Sequence, residues 1–227
     1  MEQNQLAETI YKTVSALFGP DDVVELRILK TRDCGTVSGY FNDKIKLAER
    51  AAHWNGRNNI YVTLNPVNPD LLARANNRTK QRASDTTQDA DIPRRRFILI
   101  DADPERPKGV SATDAEHAAA FEMAHAIKAF LMDEHGFPDM FVADSGNGAH
   151  LVIPVDLPND AATTQAIKNF LLGLGKRFDN EAVKVDKVVY NASRIIKLWG
   201  TKAVKGDNMS DRPHRNSRLL HIPEVIQ

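Results

Sequence analysis

One cysteine among 227 residues excludes an internal disulfide, and Cys34 keeps no zinc-ligand spacing with His53, His117, His125 or His135. Long apolar runs are missing as well. No stretch reaches the about 18 residues that a membrane helix needs, and Met1 to Leu6 is too polar to open a secretory signal. The expectation is a soluble, cytoplasmic protein with no membrane association and no zinc. Nor is there a surplus of charge, because 30 Lys and Arg face 30 Asp and Glu. Nothing global therefore marks a polyanionic partner. What composition does supply is core: with 42% hydrophobic residues the chain can bury one large or two small domains.

Charge of one sign is nevertheless concentrated locally. Arg74, Arg78, Lys80 and Arg82 run without an intervening acid, and Arg94, Arg95 and Arg96 follow. Between Arg194 and Arg218, seven Lys or Arg stand against Asp207 and Asp211. Any one cluster is equally consistent with a solvated face, whereas three around one acidic motif point to a phosphate-binding surface.

Leu6, Ile10, Val14 and Leu17 carry the spacing of an opening helix that ends at Gly19-Pro20. Val23 to Leu29 reads as a strand, Lys44 to Trp54 as a short helix, and Asn59 to Leu64 as a strand stopped by Asn65-Pro66. These form a smaller N-terminal α/β lobe, and polar Asn76 to Asp91 reads as a mobile loop or lobe connection closing residues 1–92. Residues 93–227 are more regular. The apolar strand Arg96 to Asp101 ends in acid. Thr113-x-x-Glu116 is a capping box for a helix with Met123, Ile127 and Phe130 on one stripe, stopped by Gly136. Strands Met140 to Asp144 and Ala149 to Val155 flank Ser145-Gly146-Asn147-Gly148, a hairpin signal. A helix over about 160–178 follows, then strand-like Val183 to Tyr190 and Arg194 to Trp199.

The order β-α-β-β-α-β predicts an α+β, ferredoxin-like (RRM-like) core with one extra strand. Right-handed crossovers make strands joined through a helix parallel, so the end of the first strand, the hairpin turn and the start of the fourth strand share one edge. Asp101, Asp103, the Ser145 to His150 turn and Asp186 are thus predicted to converge, although Asp101 and Asp186 lie 85 positions apart.

Asp101 and Asp103, two apart on a strand, face the same side. Their carboxylates repel unless a cation separates them, and hard oxygen donors suit Mg²⁺ or Mn²⁺. A plain turn with two solvated acids is the bland alternative, since Pro104 follows. Ser145-Gly146-Asn147-Gly148-Ala149-His150 can offer backbone N–H groups, a hydroxyl and an imidazole to an anion. It is not a Walker A loop, and a simple hairpin explains everything but the histidine. Asp186 in an apolar strand calls for a partner; Asp144, Asp156 and Asp179 compete as third ligand. Arg194 and Lys197 can neutralise phosphate or simply face water from an edge strand.

Taken together, Asp101-x-Asp103, Ser145-Gly-x-Gly-x-His150, and Asp186 ahead of Asn191-Ala-Ser-Arg194 and Trp199-Gly-Thr201 resemble the archaeo-eukaryotic primase (AEP) superfamily, in particular primase-polymerase domains of plasmids, phages and other mobile elements. The likeness spans most of Arg95 to Thr201, with a weaker match at Tyr61 to Pro66. It departs at Trp199, where relatives often have proline. The resemblance implies the AEP-type primase-polymerase fold and a metal-dependent nucleotidyltransferase acting in DNA replication. Asp101, Asp103 and Asp186 would be catalytic and hold two Mg²⁺ or Mn²⁺ ions. The Ser145, Gly146, Asn147, Gly148 turn, His150, Arg194 and Lys197 would bind the incoming dNTP or NTP. Implied partners are a single-stranded DNA template and primer, and a helicase or accessory primase domain, for which the chain leaves no room; it is expected to be a stand-alone enzyme or a catalytic fragment. A metal-dependent nuclease and a catalytically silent replication-initiator domain are the alternatives.

Overall fold

The apolar stripe of the N-terminus forms α1 (Glu2–Leu17), which buries Ile10, Val14 and Leu17; each such side chain contributes about 1.5–3 kcal/mol. A computed structural model describes residues 2–224; Met1 and residues 225–227, the outer ends of the two expected lobes, lie outside them. α1 packs on α2 (Lys44–Trp54), whose start is fixed by the Asp43 carboxylate accepting from Lys46 N–H. Beneath them lies an antiparallel sheet of β1 (Val24–Thr31), β2 (Gly35–Phe41), β3 (Asn59–Thr63) and β8 (Ile195–Lys197), in the order β2-β1-β3-β8. β2 is not legible in the sequence because Thr36, Ser38 and Gly39 interrupt its apolar pattern.

The 76–91 stretch, expected as a mobile connection, is laid along the free edge of β2. Ser38 and Lys80 exchange both backbone bonds (3.0 and 2.7 Å), and Ala83 N–H donates to Thr36 C=O. Thr87 N–H donates to the fully buried Glu25 carboxylate, which also holds Arg27 and Ser38.

The second sheet contains β4 (Arg94–Pro104), β5 (Phe141–Asp144), β6 (Ala149–Pro158), β7 (Val183–Val185) and β9 (Arg218–His221), ordered β7-β4-β6-β5-β9 and antiparallel throughout. Its first four members stand in the ferredoxin-like order fourth-first-third-second, with β9 added at the edge. Two helices cross over, α3 (Asp114–Ala129) and α4 (Ala161–Phe178). The capping box of α3 is formed by reciprocal bonds between Thr113 and Glu116, and the helix runs on into a π-helical turn, Phe130–Glu134.

Two expectations about the fourth strand need correction. β7 ends at Val185, so Asp186 lies just beyond it: its carboxylate caps Val188 N–H (2.9 Å) and turns the chain. The extra strand β8 does not extend this sheet but pairs with β3, Lys197 opposite Tyr61. The chain thus passes from one sheet to the other between 186 and 194, and a single apolar core spans both. The architecture is α+β. No helix among the described residues is long and apolar enough to cross a membrane.

Candidate active site

Strand alternation sets the first two carboxylates. Ala102 is buried, while Asp101 and Asp103 point the other way and line a 380 Å³ cavity between the two sheets. β6 brings His150 opposite Asp101, and β7 brings Lys184 opposite Asp103. Asp186 N–H donates to Asp101 C=O (2.8 Å), which places the third carboxylate on the same cavity. The convergence expected from the crossovers is therefore realised for Asp101, Asp103, Asp186, Ser145, Asn147 and His150. The rival acids are engaged elsewhere. Asp144 accepts from Gly146 N–H and contacts His117; Asp156 pairs with Arg94; Asp179 holds Val185 N–H and Lys187.

Burial first, and then the charges of Asp103 and Asp186, raise the Asp101 carboxyl to about 8. A quarter of its side chain faces the cavity, so water softens this rise. Its chemistry fits a cation: three hard-oxygen donors border one hollow, and one already suffers from the other two. Yet among the described residues no three Asp, Glu, His or Cys side chains are grouped as a ready metal cage. The reason is visible. Asp103 is turned onto Arg106, whose Nη1 donates to Asp103 Oδ1 and Pro104 C=O (both 2.9 Å), and Asp186 is drawn to Val188.

The hairpin turn differs from expectation in how its donors are used. Gly146 N–H goes to Asp144 Oδ1 (2.6 Å), and the N–H groups of Asn147 and Gly148 go to Ser145 Oγ. Ser145 N–H and its hydroxyl both donate to Gly148 C=O, and Asn147 Oδ1 accepts from Ala112 N–H. The amides do not form an open anion nest. Gly148 instead serves close packing, because a Cβ there would stand 2.3 Å from Ala102 O. Of the turn, the Ser145 and Asn147 side chains remain on the cavity wall.

Basic side chains line the same cavity. Lys197, 6% exposed, donates to Lys202 C=O (2.8 Å), and burial lowers it to about 7. Arg194 donates to Val188 C=O, but its buried Nε–H has no partner. Lys205 also lines the cavity. His150, 4% exposed, accepts the Trp199 indole N–H at Nδ1 (3.1 Å). Because indole only donates, the neutral ring carries its proton on Nε2, 3.6 Å from Asp101 Oδ1. Burial lowers this imidazole to about 4, so it is an uncharged donor at neutral pH. Trp199 has here the task of holding that ring.

Sequence reasoning did not single out Arg106, Lys205 or Tyr61, all on the cavity wall; Lys205 carried a signal in the third basic cluster and Tyr61 in the weak match at Tyr61 to Pro66, while Arg106 carried none. Reading the second basic cluster as phosphate-binding also needs correction. Arg94 pairs with Asp156 and Arg96 with Asp22 (each 2.6 Å), and buried Arg95 donates to Tyr190 C=O and Thr164 Oγ1. In the third cluster Arg212 binds Glu116 and Arg215 binds Asp114. These partners lie far away in sequence, which is why the clusters read as free.

No family model matches the sequence, and no curated protein matches it. Solved structures do. The AEP domain of the cyanophage S-2L primase-polymerase superposes with a TM-score of 0.53 at 12% identity, over 97% of this chain and 92% of that one. The polymerase domain of Mycobacterium tuberculosis ligase D, in complex with DNA, aligns over 94% of this chain and 80% of that one, with a TM-score of 0.46 and 14% identity. The first likeness shows the fold: an AEP-type primase-polymerase fold.

Proposed function

From a chain with the AEP-type primase-polymerase fold, we propose a DNA primase-polymerase: a nucleotidyltransferase that joins a dNTP or NTP to a 3′-hydroxyl on a single-stranded DNA template during primer synthesis. The observation that carries the reading is the meeting of acids and bases in one cavity. Asp101, Asp103 and Asp186 border it, burial and then the other two charges raising Asp101 to about 8; neutral His150 stands beside Asp101, and Lys197 and Arg194 line the same hollow. A bound triphosphate with divalent cations satisfies the acids and the bases at once.

In this reading Asp101, Asp103 and Asp186 would hold Mg²⁺ or Mn²⁺, for which Asp103 would have to release Arg106. Such ions supply charge neutralisation and acidify a coordinated hydroxyl. His150 Nε2–H donates to a phosphate oxygen, the Arg194 Nε–H gains the acceptor it lacks, and Lys197 recovers its full charge beside phosphate. Ser145 and Asn147 contribute wall rather than amides. The O3′–Pα bond forms, the bond from Pα to pyrophosphate breaks, and the hydroxyl proton passes to solvent. Rate enhancement is mainly positioning and charge stabilisation. A helicase or accessory primase domain would assist unprimed initiation.

Extension of a labelled primer tests the proposal, run with Mg²⁺ or Mn²⁺ for the wild type and for Asp101→Ala/Asp103→Ala. Elongated products that need both aspartates support it. A shortened template strand would indicate a nuclease, and DNA binding without synthesis an initiator domain.

A further inference from the structure

The cavity is continued by a polar row across the N-terminal sheet. Strand register aligns Lys197 of β8, Tyr61 of β3, Arg27 of β1 and Ser38 of β2 on one face, where Ser38 is buried against the Glu25 carboxylate and Arg27, paired with the same carboxylate, keeps 14% of its side chain exposed. Lys197 and Tyr61 line the candidate active site. At the far end, Ser38 borders a separate concavity of 200 Å³ whose walls also include Arg74, Lys80 and Arg82, with Asp85 as its acid. Three inter-strand steps separate the two ends, about 14 Å.

This concavity is built by backbone. Gly39 lets the 76–84 segment lie directly on β2, since a Cβ there would meet Arg78 O at 2.0 Å. Asn77 and Arg82 hold left-handed φ of 49° and 50°; asparagine adopts this region readily, whereas arginine does so only when its surroundings impose it. Arg82 is kept there by its N–H donating to Cys34 C=O and its guanidinium to Asp33 C=O. The first basic cluster presents exposed cations: Lys80 and Arg82 are both exposed, and Arg74 is anchored through Tyr40 OH and paired with Asp91 (3.7 Å).

We propose that this face is the track for the single-stranded template: a phosphodiester seats among Arg74, Lys80 and Arg82, and the strand crosses Arg27 to Tyr61, on which a base stacks at the mouth of the active site. The chemistry is that of sequence-independent single-strand binders, in which cations follow the backbone and aromatic faces take bases. An inorganic phosphate or free nucleotide would fill the concavity alone and have no use for the row. The inference rests on the polymerase reading for its template, but it makes a separate claim about where the strand lies.

The test is fluorescence anisotropy of a labelled single-stranded oligonucleotide with the full chain over a range of salt, for the wild type, Lys80→Gln/Arg82→Gln and Lys80→Glu/Arg82→Glu, with melting temperatures as the folding control. Losing two phosphate contacts should lower the salt slope by about 1.4, given about 0.7 per contact on single strands. Affinity at low salt should fall about tenfold in the Gln pair and further in the Glu pair. Primer extension is run in parallel on templates whose single-stranded overhang is shorter or longer than the row; only long overhangs should feel the substitutions. Unchanged affinity and slope in both variants, or no strand binding by the wild type, overturns the track. If extension nevertheless proceeds, the polymerase reading survives that loss. Variant-sensitive strand binding with no nucleotide incorporated leaves the track standing and removes the polymerase.

Discussion

Asp101→Asn is expected to stabilise the metal-free protein at neutral pH, although most substitutions at such buried positions destabilise. The Asp101 carboxyl stands at about 8 in the fold, against an ordinary 3.8. A group raised in the folded state contributes its full stability below the unfolded value and loses it as pH rises through the folded one. Between pH 6.5 and 8 Asp101 should therefore cost the wild type up to about 2 kcal/mol relative to the variant, at about 1.36 kcal/mol per pH unit, with water at the quarter-exposed side chain trimming the figure. His150, lowered to about 4, has the opposite sign: its contribution is present above 6.5 and lost as pH falls toward 4. The two oppose each other at acid pH, which makes the window above 6.5 the informative one. Asparagine keeps the shape and cannot ionise, so the variant loses this downward slope; Lys197, lowered to about 7, adds stability in both proteins as pH rises above 7, so the difference between the two profiles is the readout. Urea denaturation at half-unit pH steps, in chelator and then in excess Mn²⁺, reads both effects. Mn²⁺ at a hundredfold over its Kd should add about 2.7 kcal/mol to the wild type and little to the variant. Equal stability of the two proteins at pH 7.5, with parallel pH profiles, would refute the burial and charge that raise the Asp101 carboxyl.

Three further outcomes follow from single contacts. Trp199→Phe leaves Nδ1 of the buried His150 without its donor; stability should fall by about 1–3 kcal/mol, and steady-state kinetics should show the nucleotide KM rising more than kcat falls. Arg95→Met removes the donors to Tyr190 C=O and Thr164 Oγ1 and strands a buried carbonyl; a loss of about 1–3 kcal/mol by urea denaturation is expected, and an unchanged midpoint would count against that role. Gly148→Ala drives a methyl to 2.3 Å from Ala102 O; the melting temperature should drop, with about 1–3 kcal/mol lost to overpacking, and nucleotide affinity should weaken with it.

Local periodicity was legible where it is strictly local. The 2-residue alternation at Asp101 and Asp103 put both on one face, the capping box at Thr113 placed a helix start, and the crossover rule brought Asp186 to Asp101 across 85 positions. What escaped depends on partners remote in sequence. β2 is half polar because Ser38 serves the buried Glu25 rather than solvent. β8 changes sheets, which no strand pattern announces. The hairpin amides looked available until Asp144 and Ser145 were seen to accept them. The Arg94 to Arg96 run looked like a phosphate surface because Asp22, Asp156 and Thr164 sit 62 to 74 positions away.

The most direct test is single-nucleotide incorporation onto a primer-template, followed by rapid quench, with each of the four nucleotides opposite each templating base, for the wild type, Asp101→Asn and Asp186→Asn. The account predicts incorporation governed by the template base, one pyrophosphate released per addition, and a fall of about 10²–10³ in rate for either variant. Incorporation indifferent to the template, or undiminished in both variants, would contradict it.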